Sequence, residues 1–458
     1  MFESKLERAP IAALKSNPSN ARTHSKRQLK QIAASIKRFG FTNPVLVDDG
    51  LTILAGHGRV AAASQLGMTE VPIIRLSHLS EAEKRAYVLA DNQLALRAGW
   101  DREILAIELQ GLIDLKFDID AIGFEMAEID LILDAAREAK PDVRSAPEDE
   151  TPTLLDQAVT RVGDQWELGR HRLLCGDARD PAAYAALMLD EQADVMFTDP
   201  PYNVPINGFV GGKGKAERRE FAMGSGEMSE AEFEVFLDLT LGASARLCRD
   251  GAIAFVCMDW RHMRQLQNAG AKAFGELKNV CVWTKSNGGM GSLYRSQHEF
   301  VFVFKKGEEA HVNNVELGQH GRNRTNVWAY AGVNTFKQGR DEELGMHPTV
   351  KPVAMVEDAI KDVSRRGDVV LDPFGGSGTT LIAAERCGRT ARLIEIDPIY
   401  CDVIVQRFEA YTGKQAVLKA TGDTYETARE ARQAPSPLSE DQNESRESDF
   451  ASHHLDPG

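Results

Sequence analysis

A short motif in the middle of the chain has the residue types needed to activate an aromatic amine. Asp199, Pro200, Pro201 and Tyr202 follow the apolar segment 194–197, which predicts a strand that ends at this motif. An exocyclic amine is a poor nucleophile because its lone pair is delocalised into the ring. Catalysis therefore needs hydrogen-bond acceptors for its N–H groups. The Asp199 carboxylate and the Pro200 carbonyl are such acceptors. The prolines stiffen the loop, and Tyr202 offers a ring on which an extruded base can stack.

A second motif is a glycine-rich loop of the kind that binds a nucleotide cofactor. It consists of Asp372, Pro373, Phe374, Gly375, Gly376, Ser377, Gly378 and Thr379. The loop lies between a predicted strand at 369–371 and a predicted helix at 380–387, so backbone N–H groups at the helix start are free to meet a ligand. About twenty residues further on, Glu395 ends a strand, where an acid can accept the hydroxyls of an adenosine ribose. No Lys-Ser or Lys-Thr follows the glycines, which disfavours a P-loop. This loop alone is compatible with either NAD or S-adenosylmethionine as the cofactor.

Both motifs need a sheet that holds them at one edge. Strand-like and helical segments alternate through the second part of the chain, which is typical of a doubly wound, Rossmann-like α/β sheet. The strand-like segments are 172–175, 194–198, 252–257, 279–283, 300–304, 369–371 and 390–396. Because parallel strands end at a common edge, we expect the two motifs to lie side by side.

Composition divides the chain into four parts. Residues 1–139 predict a small α/β domain, with helices at 25–39, 80–96 and 101–115. Residues 140–160 are rich in Pro, Asp, Glu and Ser, as in a linker, and residues 161–420 hold the larger sheet. From Thr421 to residue 458 the chain has too little apolar surface to offset its entropy, which predicts a disordered acidic tail.

The second domain resembles the amino-methylating DNA methyltransferases of the β subgroup over about residues 162–411. Cys175-Gly176-Asp177, the Asp-Pro-Pro-Tyr motif, the segment from His347 to Pro352 and the glycine loop carry the resemblance, with the catalytic motif ahead of the cofactor loop. It implies S-adenosyl-L-methionine as cofactor, double-stranded DNA as partner and a role in DNA modification, as in restriction-modification systems. Asp rather than Ser before Pro-Pro-Tyr favours adenine N6 as the acceptor.

The resemblance also implies roles for single residues. Asp372 and the loop from Phe374 to Thr379 line the cofactor, Glu395 holds its ribose, Asp177 its adenine side, and Lys351 with Thr349 its methionine end. Cytosine N4 and the amines of RNA or protein stay open as alternative acceptors. Methylation of cytosine C5 is excluded, because it needs a nucleophilic cysteine, usually after proline, and the chain has no Pro-Cys pair.

Two polar segments are candidates for DNA contacts. Residues 305–345 form a polar insert with the arginines Arg322 and Arg324, a side-chain type that reads guanine edges in the major groove. The segment 207–226 is a glycine-rich basic loop, whose cations can meet phosphates. Its basic residues are Lys213, Lys215, Arg218 and Arg219. A solvated surface loop is the alternative interpretation of the insert, and a disordered connection that of the basic loop.

The first domain resembles the ParB/sulfiredoxin-type fold over about residues 6–115. The segment 17–22 and the loop Gly56, His57, Gly58 and Arg59 carry this resemblance. The loop opens a helix, so its backbone N–H groups and Arg59 are suited to the phosphate of a nucleotide. The domain has no cysteine, so sulfiredoxin chemistry is excluded. A DNA-binding or regulatory module is favoured over a nucleotide switch or a nuclease, and dimerisation of the chain is a further alternative.

Composition bounds the function classes. The net charge of −14 argues only weakly against DNA binding, because the tail from Thr421 alone holds nine acidic and three basic residues. No apolar run reaches the ~18–20 residues that cross a bilayer, and the N-terminus lacks an apolar signal segment, so we expect a cytoplasmic protein. The six cysteines are scattered, which predicts free thiols and no metal site. A ParB-like partition protein with an inactive methyltransferase half is the alternative from a different class.

Overall fold

The computed structural model describes residues 5–138, 149, 151–152, 154–204, 223–285, 293–315, 324–330 and 350–433. The chain divides into two compact units, Met1–Val143 and Arg144–Gly458. Among the helices within these described ranges, none is both long enough and apolar enough to cross a membrane.

The first unit combines a small sheet with helices. Its elements are β1 (Leu6–Pro10), α1 (Lys26–Phe39), β2 (Val45–Val47), β3 (Ile53–Ala55), α2 (His57–Gln65), β4 (Glu70–Arg75), α3 (Glu81–Arg97), α4 (Arg102–Asp114) and α5 (Met126–Glu138). The strands have the order β1-β4-β2-β3. α1 starts at Ser25, whose side chain accepts a hydrogen bond from the backbone N–H of Gln28. Apolar side chains of α4 and α5 form a cluster of their own, with Leu109 and Ile129 fully buried.

The second unit is built on one large sheet. Its strands are β5 (Gln165–Leu168), β6 (His171–Cys175), β7 (Ala193–Thr198), β8 (Cys248–Met258), β9 (Gly275–Thr284), β10 (His298–Lys306), β11 (Val327–Ala329), β12 (Val369–Asp372), β13 (Thr390–Glu395) and β14 (Val417–Leu418). Its helices are α6 (Pro181–Met188), α7 (Glu230–Leu247), α8 (Met263–Phe274), α9 (Val353–Val363), α10 (Thr379–Cys387), α11 (Pro398–Thr412) and α12 (Tyr425–Gln433).

The centre of this sheet is parallel and runs in the order β8-β7-β12-β13-β6. β10 and β9 extend it antiparallel at one side, and β5 and β14 do so at the other. The expected doubly wound α/β fold is confirmed. The chain leaves β7 towards β8 but leaves β12 towards β13, so the strand order reverses between two neighbours. Such a reversal opens a crevice at the carboxyl ends of the strands.

Helices cover both faces of the parallel strands. Val195 and Phe197 of β7 point into a core shared with α9, α10 and α11. Met196 of the same strand points into the opposite core, which is shared with α6, α7 and α8. A strand buried on both faces is continuously apolar rather than alternating, which is why β7 reads as an apolar run ahead of Asp199.

The expected disordered tail from Thr421 is wrong for its first part. α12 (Tyr425–Gln433) folds against the sheet, and the ring of Tyr425 lies 5.5 Å from that of Trp166. Arg432 donates a hydrogen bond to the carbonyl of Val159 at 2.8 Å and pairs with Asp164. One buried aromatic ring and one paired arginine are enough to hold two turns of helix, although the average composition of the segment is polar. Residues 434–458 lie outside the described part of the chain.

Candidate active site

The two motifs meet at the crevice between β7 and β12. They line an open cleft of about 1340 Å³, including space open to solvent. The predicted site residues that line it are Asp177, Asp199, Pro200, Pro201, Tyr202, Lys351, Asp372, Phe374, Gly375, Gly376, Ser377, Thr379 and Glu395. The cleft therefore brings residues of both motifs to one site.

The glycine loop is shaped by close contacts on one side and open space on the other. A Cβ at Gly375 would lie 3.2 Å from Ile404 and 3.3 Å from the Ile394 carbonyl oxygen, and a Cβ at Gly378 would lie 3.1 Å from Ile404. Gly376 has φ of +53° and faces open space, with only the Phe374 carbonyl oxygen within 4 Å of its Cβ position. The loop therefore packs tightly on α11 and leaves its other side free for a ligand.

Glu395 closes the far side of the loop. Its carboxylate accepts hydrogen bonds from the backbone N–H of Gly376 at 2.7 Å and of Asp397 at 2.9 Å. Burial raises the pKa of Glu395 to about 7, against these hydrogen bonds, and burial likewise raises the pKa of Asp372 to about 7. Each carboxylate oxygen retains acceptor capacity for a hydroxyl group. These acceptor oxygens fit the hydroxyl groups of an adenosine ribose.

Asp177 lies at the mouth of the cleft, after β6. Its carboxylate accepts hydrogen bonds from the Arg179 side chain, the shortest at 2.6 Å, and from the Arg179 backbone N–H at 2.8 Å. Burial alone would raise the pKa of Asp177, but the Arg179 contacts outweigh it and lower the pKa. An ionised acceptor thus lies at the predicted adenine side of the site.

The sequence analysis did not identify one residue that anchors the glycine loop to α11. Arg407 of α11 is buried and donates hydrogen bonds to the Ser377 carbonyl oxygen at 2.9 Å and to the hydroxyls of Ser377 and Thr379 at 3.3 Å. A charged residue inside the buried stretch of α11 was the available signal, since arginine is rarely buried without a specific partner.

Asp199 is the centre of a network of charged and polar side chains. Tyr202 donates a hydrogen bond to its Oδ1 at 2.7 Å, and Lys351 Nζ pairs with its Oδ2. Lys351 Nζ also lies 3.2 Å from Glu299 Oε2, and Lys285 pairs with Glu299. The Asp199 side chain is 26% exposed, against 5% for Lys351 and 10% for Glu299. Asp199 is therefore the most exposed of these three charged residues, and Lys351 and Tyr202 line the cleft beside it.

The charges of this network are set by burial and by pairing. Burial raises the pKa of Asp199, which Lys351 opposes and Glu299 reinforces. Burial would also raise the pKa of Glu299, but Lys351 and Lys285 outweigh it and lower the pKa to about 2. The pKa of Lys351 is raised because its two carboxylate partners outweigh burial. Lys351, predicted to contact the methionine end of the cofactor, is thus bound to the carboxylate of Asp199 in this structure.

Of the predicted DNA contacts, Arg324 lies in the described part of the chain. Its guanidinium pairs with Asp362 at 3.0 Å and Asp358 at 3.2 Å and lies over the ring of Trp328. Its side chain is 19% exposed, so a base contact would require these ion pairs to break. Lys213, Lys215, Arg218, Arg219 and Arg322, like Thr349 of the cofactor site, lie outside the described residues.

In the first unit, the structure brings the two segments singled out in the sequence together. His57 Nε2 accepts a hydrogen bond from the backbone N–H of Asn17 at 3.2 Å. Gly56 has φ of +106°, and Arg59 folds back so that it donates to the Asn43 carbonyl oxygen at 3.0 Å. Burial, with His24 as the second cause, lowers the pKa of His57. The loop at the start of α2 therefore contains an imidazole that favours its neutral form and one cation, Arg59.

Three family matches cover most of the chain. Residues 193–406 match the N6/N4-type DNA methylases, and residues 2–93 match the ParB N-terminal domain. Residues 103–162 match the helix-turn-helix domain of ParB-methyltransferases, which the sequence analysis did not separate from the first domain and its linker. The chain therefore carries a domain of the N6/N4-type DNA methylases, and ParB-type domains precede this domain in the sequence.

Known proteins resemble the ParB-type domain and the methylase domain separately. The ParB-like nuclease domain-containing protein YnaK of Escherichia coli (strain K12) is 49% identical over 81 residues, which are 18% of this chain and 93% of that protein. The type II methyltransferase M.HpaI of Haemophilus parainfluenzae is 24% identical over 254 residues, 52% of this chain and 74% of the relative. The crystal structure of the M1.HpyAVI–SAM complex has a TM-score of 0.36 at 19% identity and covers 52% of this chain and 98% of that one.

Proposed function

We propose that this protein transfers the methyl group of S-adenosylmethionine to N6 of an adenine that has been flipped out of duplex DNA. The observation that carries the proposal is the position of Asp199, a partly exposed carboxylate at the strand reversal, in the same cleft as the glycine loop. Acceptor and cofactor sites at one edge allow the two reactants to meet in line, which is the main requirement of a methyl transfer.

The cleft residues define how the cofactor is held. Glu395 accepts the ribose hydroxyls, the backbone of Gly376 and its neighbours lies against the cofactor, and Asp177 meets its adenine side. Phe374 adds an apolar wall. When bound, S-adenosylmethionine supplies an electrophilic methyl group on a sulfonium centre. Lys351 and Thr349 are proposed for its methionine end, which has a carboxylate that the Lys351 ammonium can attract.

The chain's own contribution to the chemistry is at the amine. Asp199 and the Pro200 carbonyl oxygen accept hydrogen bonds from the two N–H groups of the amine. These hydrogen bonds localise the nitrogen lone pair so that it points towards the methyl group. The same Asp199 carboxylate takes the proton that the nitrogen releases once the new N–C bond has formed. Tyr202 stacks on the base, and Pro201 keeps the loop rigid.

We propose adenine N6 rather than cytosine N4 as the acceptor because the residue before Pro-Pro-Tyr is an aspartate, Asp199. The family match covers both acceptors. Incubation of the purified chain with mixed-sequence duplex DNA and S-adenosylmethionine, followed by mass spectrometry of the digested nucleosides, tests the proposal. N6-methyladenine is the expected product. N4-methylcytosine would retain the mechanism and correct the base, and the absence of any methylated nucleoside with the cofactor bound would contradict a DNA substrate.

We also propose that the first unit is a DNA-binding module that delivers the catalytic domain to its substrate. The match of residues 103–162 to a helix-turn-helix domain supports this role. The basic residues Lys213, Lys215, Arg218 and Arg219 are proposed phosphate contacts next to the catalytic cleft. A nucleotide held at Gly56 and Arg59 is the second candidate for the first unit, because that loop offers backbone N–H groups and one cation.

Titration of the full chain separates these two candidates. Duplex DNA should bind without any nucleotide present, with an affinity that falls steeply as the salt concentration rises. Arg59→Ala should leave this binding within about threefold, because Arg59 is one cation among many. Tight binding of a nucleoside triphosphate that Arg59→Ala removes, together with nucleotide-dependent DNA binding, would favour the switch instead.

A further inference from the structure

The catalytic carboxylate is engaged on both of its oxygens. Tyr202 donates to Oδ1 of Asp199, and Lys351 pairs with Oδ2. An ammonium ion in contact with a carboxylate withdraws the charge that would otherwise polarise an incoming amine. The arrangement described by the structure is therefore a resting state, in which Asp199 is held by its neighbours and is a poor acceptor for a substrate N–H.

Glu299 is placed to take over both of these donors. Its Oε2 lies 3.1 Å from the Tyr202 hydroxyl and 3.2 Å from Lys351 Nζ, so one oxygen faces the two groups that occupy Asp199. The Tyr202 hydroxyl has a single proton and can donate fully to one carboxylate at a time. Lys285 pairs with the other oxygen of Glu299, which fixes the carboxylate in this orientation.

Glu299 differs from Asp199 in where it lies. It sits near the start of β10, is 10% exposed, and is not among the residues that line the cleft. Substrate entering the cleft thus meets Asp199 and not Glu299. A buried acid is costly unless it is paired. Two of the three partners of Glu299, Lys351 and Tyr202, also contact Asp199.

Resting on the proposed function, we infer that Glu299 is a positioning residue that draws Lys351 and the Tyr202 hydroxyl away from Asp199 when the target base enters, so that Asp199 can accept the amine. The movement required is small, since both donors already lie within about hydrogen-bonding distance of Glu299. Two carboxylates that share one ammonium and one phenol form a two-state hydrogen-bond network. The base biases this network by offering Asp199 new donors.

A substitution that removes the charge of Glu299 but keeps its shape tests this role. In Glu299→Gln, Lys351 loses its alternative anion and stays on Asp199. The single-turnover rate of methyl transfer should fall about 10- to 100-fold, whereas the dissociation constant for S-adenosylmethionine should stay within threefold. Glu299→Asp keeps the charge and should recover part of the rate. Glu276→Gln, an exposed carboxylate of β9 that pairs with Lys278, is the matched control and should behave as wild type.

A second readout reports on the network without methyl transfer. The titratable groups that face Asp199 are Lys351, Glu299, Tyr202, Cys257 of β8 and Asp372 of β12. Loss of the Glu299 charge removes a neighbouring anion and strengthens the hold of Lys351, so the pKa of Asp199 should fall. Carbon-13 NMR titration of labelled aspartates, with Asp199→Asn identifying the signal, measures this shift. The acid limb of the rate profile should move to lower pH together with it.

The outcomes are distinct. A wild-type rate and an unchanged Asp199 titration in Glu299→Gln overturn the inference. So does a loss of rate accompanied by loss of cofactor binding and of thermal stability, since that pattern marks a purely structural residue. A wild-type chain that methylates no DNA contradicts the proposed function, while the NMR titration still decides whether Glu299 competes for the partners of Asp199.

Discussion

Thr198 Oγ1 donates a hydrogen bond to Asp372 Oδ1 at 2.8 Å. Thr198 is the last residue of β7 and precedes Asp199, while Asp372 ends β12 and begins the glycine loop. Both side chains are buried. The bond therefore joins the loop proposed to activate the acceptor to the loop proposed to hold the methyl donor. A contact within the sheet thus fixes the position of one loop relative to the other.

Thr198→Val is expected to loosen this connection without changing side-chain volume. Asp372 loses a donor in a buried site, which costs about 1–3 kcal/mol of unfolding free energy and raises the Asp372 pKa above about 7. The methylation rate should fall, because the two loops no longer share a fixed contact. Denaturant unfolding and single-turnover kinetics measure both effects. Thr240→Val is the control, since that buried hydroxyl donates only within its own helix; equal losses in the two variants would contradict the linking role.

Because the pKa of Glu395 is raised, we expect its contribution to stability to fall and the cofactor affinity to rise as the pH increases. Burial raises this pKa from an ordinary 4.5 to about 7, so the folded state binds the proton more tightly than the unfolded state. Its contribution to unfolding free energy is therefore present at low pH and is lost as pH rises from about 4.5 to about 7. Ribose hydroxyls donate to the ionised form, so cofactor affinity should rise about tenfold between pH 6 and pH 8.

Isothermal titration of the wild type and of Glu395→Gln across this pH interval checks the prediction. The variant should bind S-adenosylmethionine weakly and with a much flatter pH profile, because the remaining pH dependence comes from Asp372. Affinity of the wild type that declines with rising pH would show that Glu395 binds its ligand in the protonated form.

Gly376→Val should block the cofactor site while the sheet stays folded. Gly376 has φ of +53°, which a β-branched residue adopts only with strain, and its Cβ would project into the space left for the ligand. We expect at least a hundredfold loss of cofactor affinity in calorimetry. Gly242→Val provides the control, because Gly242 lies in α7 with nothing within 4 Å of its Cβ position. An unchanged affinity in Gly376→Val would refute the assignment of the loop.

Arg324→Ala distinguishes a structural arginine from a DNA contact. Its ion pairs with Asp358 and Asp362 join the segment before β11 to α9, and their partial burial suggests a loss of about 2 kcal/mol of unfolding free energy. Arg264→Ala removes an exposed pair with Glu230 and should cost less than about 1 kcal/mol. Normal stability with weakened DNA binding in Arg324→Ala would instead assign Arg324 to the DNA interface.

Much of the fold and the core of the site could be predicted from the sequence because the signals are local. Short strand-like segments marked β7, β12 and β13, and the residues that follow those strands were predicted to share an edge. The structure brings Asp199, the glycine loop and Glu395 to one cleft. That conclusion needed only the rule that parallel strands end together.

The remaining features depend on contacts between distant parts of the chain. Glu299 gains its position only when β10 pairs with β8, which lies next to β7. Arg407 meets the glycine loop across a helix packing interface. α12 is held by the contact of Tyr425 with Trp166 of β5 and by the pairing of Arg432 with Asp164, and the average composition of the segment does not reveal either contact. None of these pairings leaves a periodic or spaced pattern in the sequence, so a single chain without its fold does not reveal them.

The most direct test of the central claim is the behaviour of Asp199→Ala in two measurements on the same preparation. Calorimetry should give a dissociation constant for S-adenosylmethionine within about threefold of wild type, because Asp199 acts on the amine. Single-turnover transfer to duplex DNA should fall by at least about a thousandfold, since the amine loses its principal acceptor. Retention of the transfer rate, or a rate loss explained entirely by lost cofactor binding or lost folding, would contradict the role of Asp199 as the residue that activates the target amine.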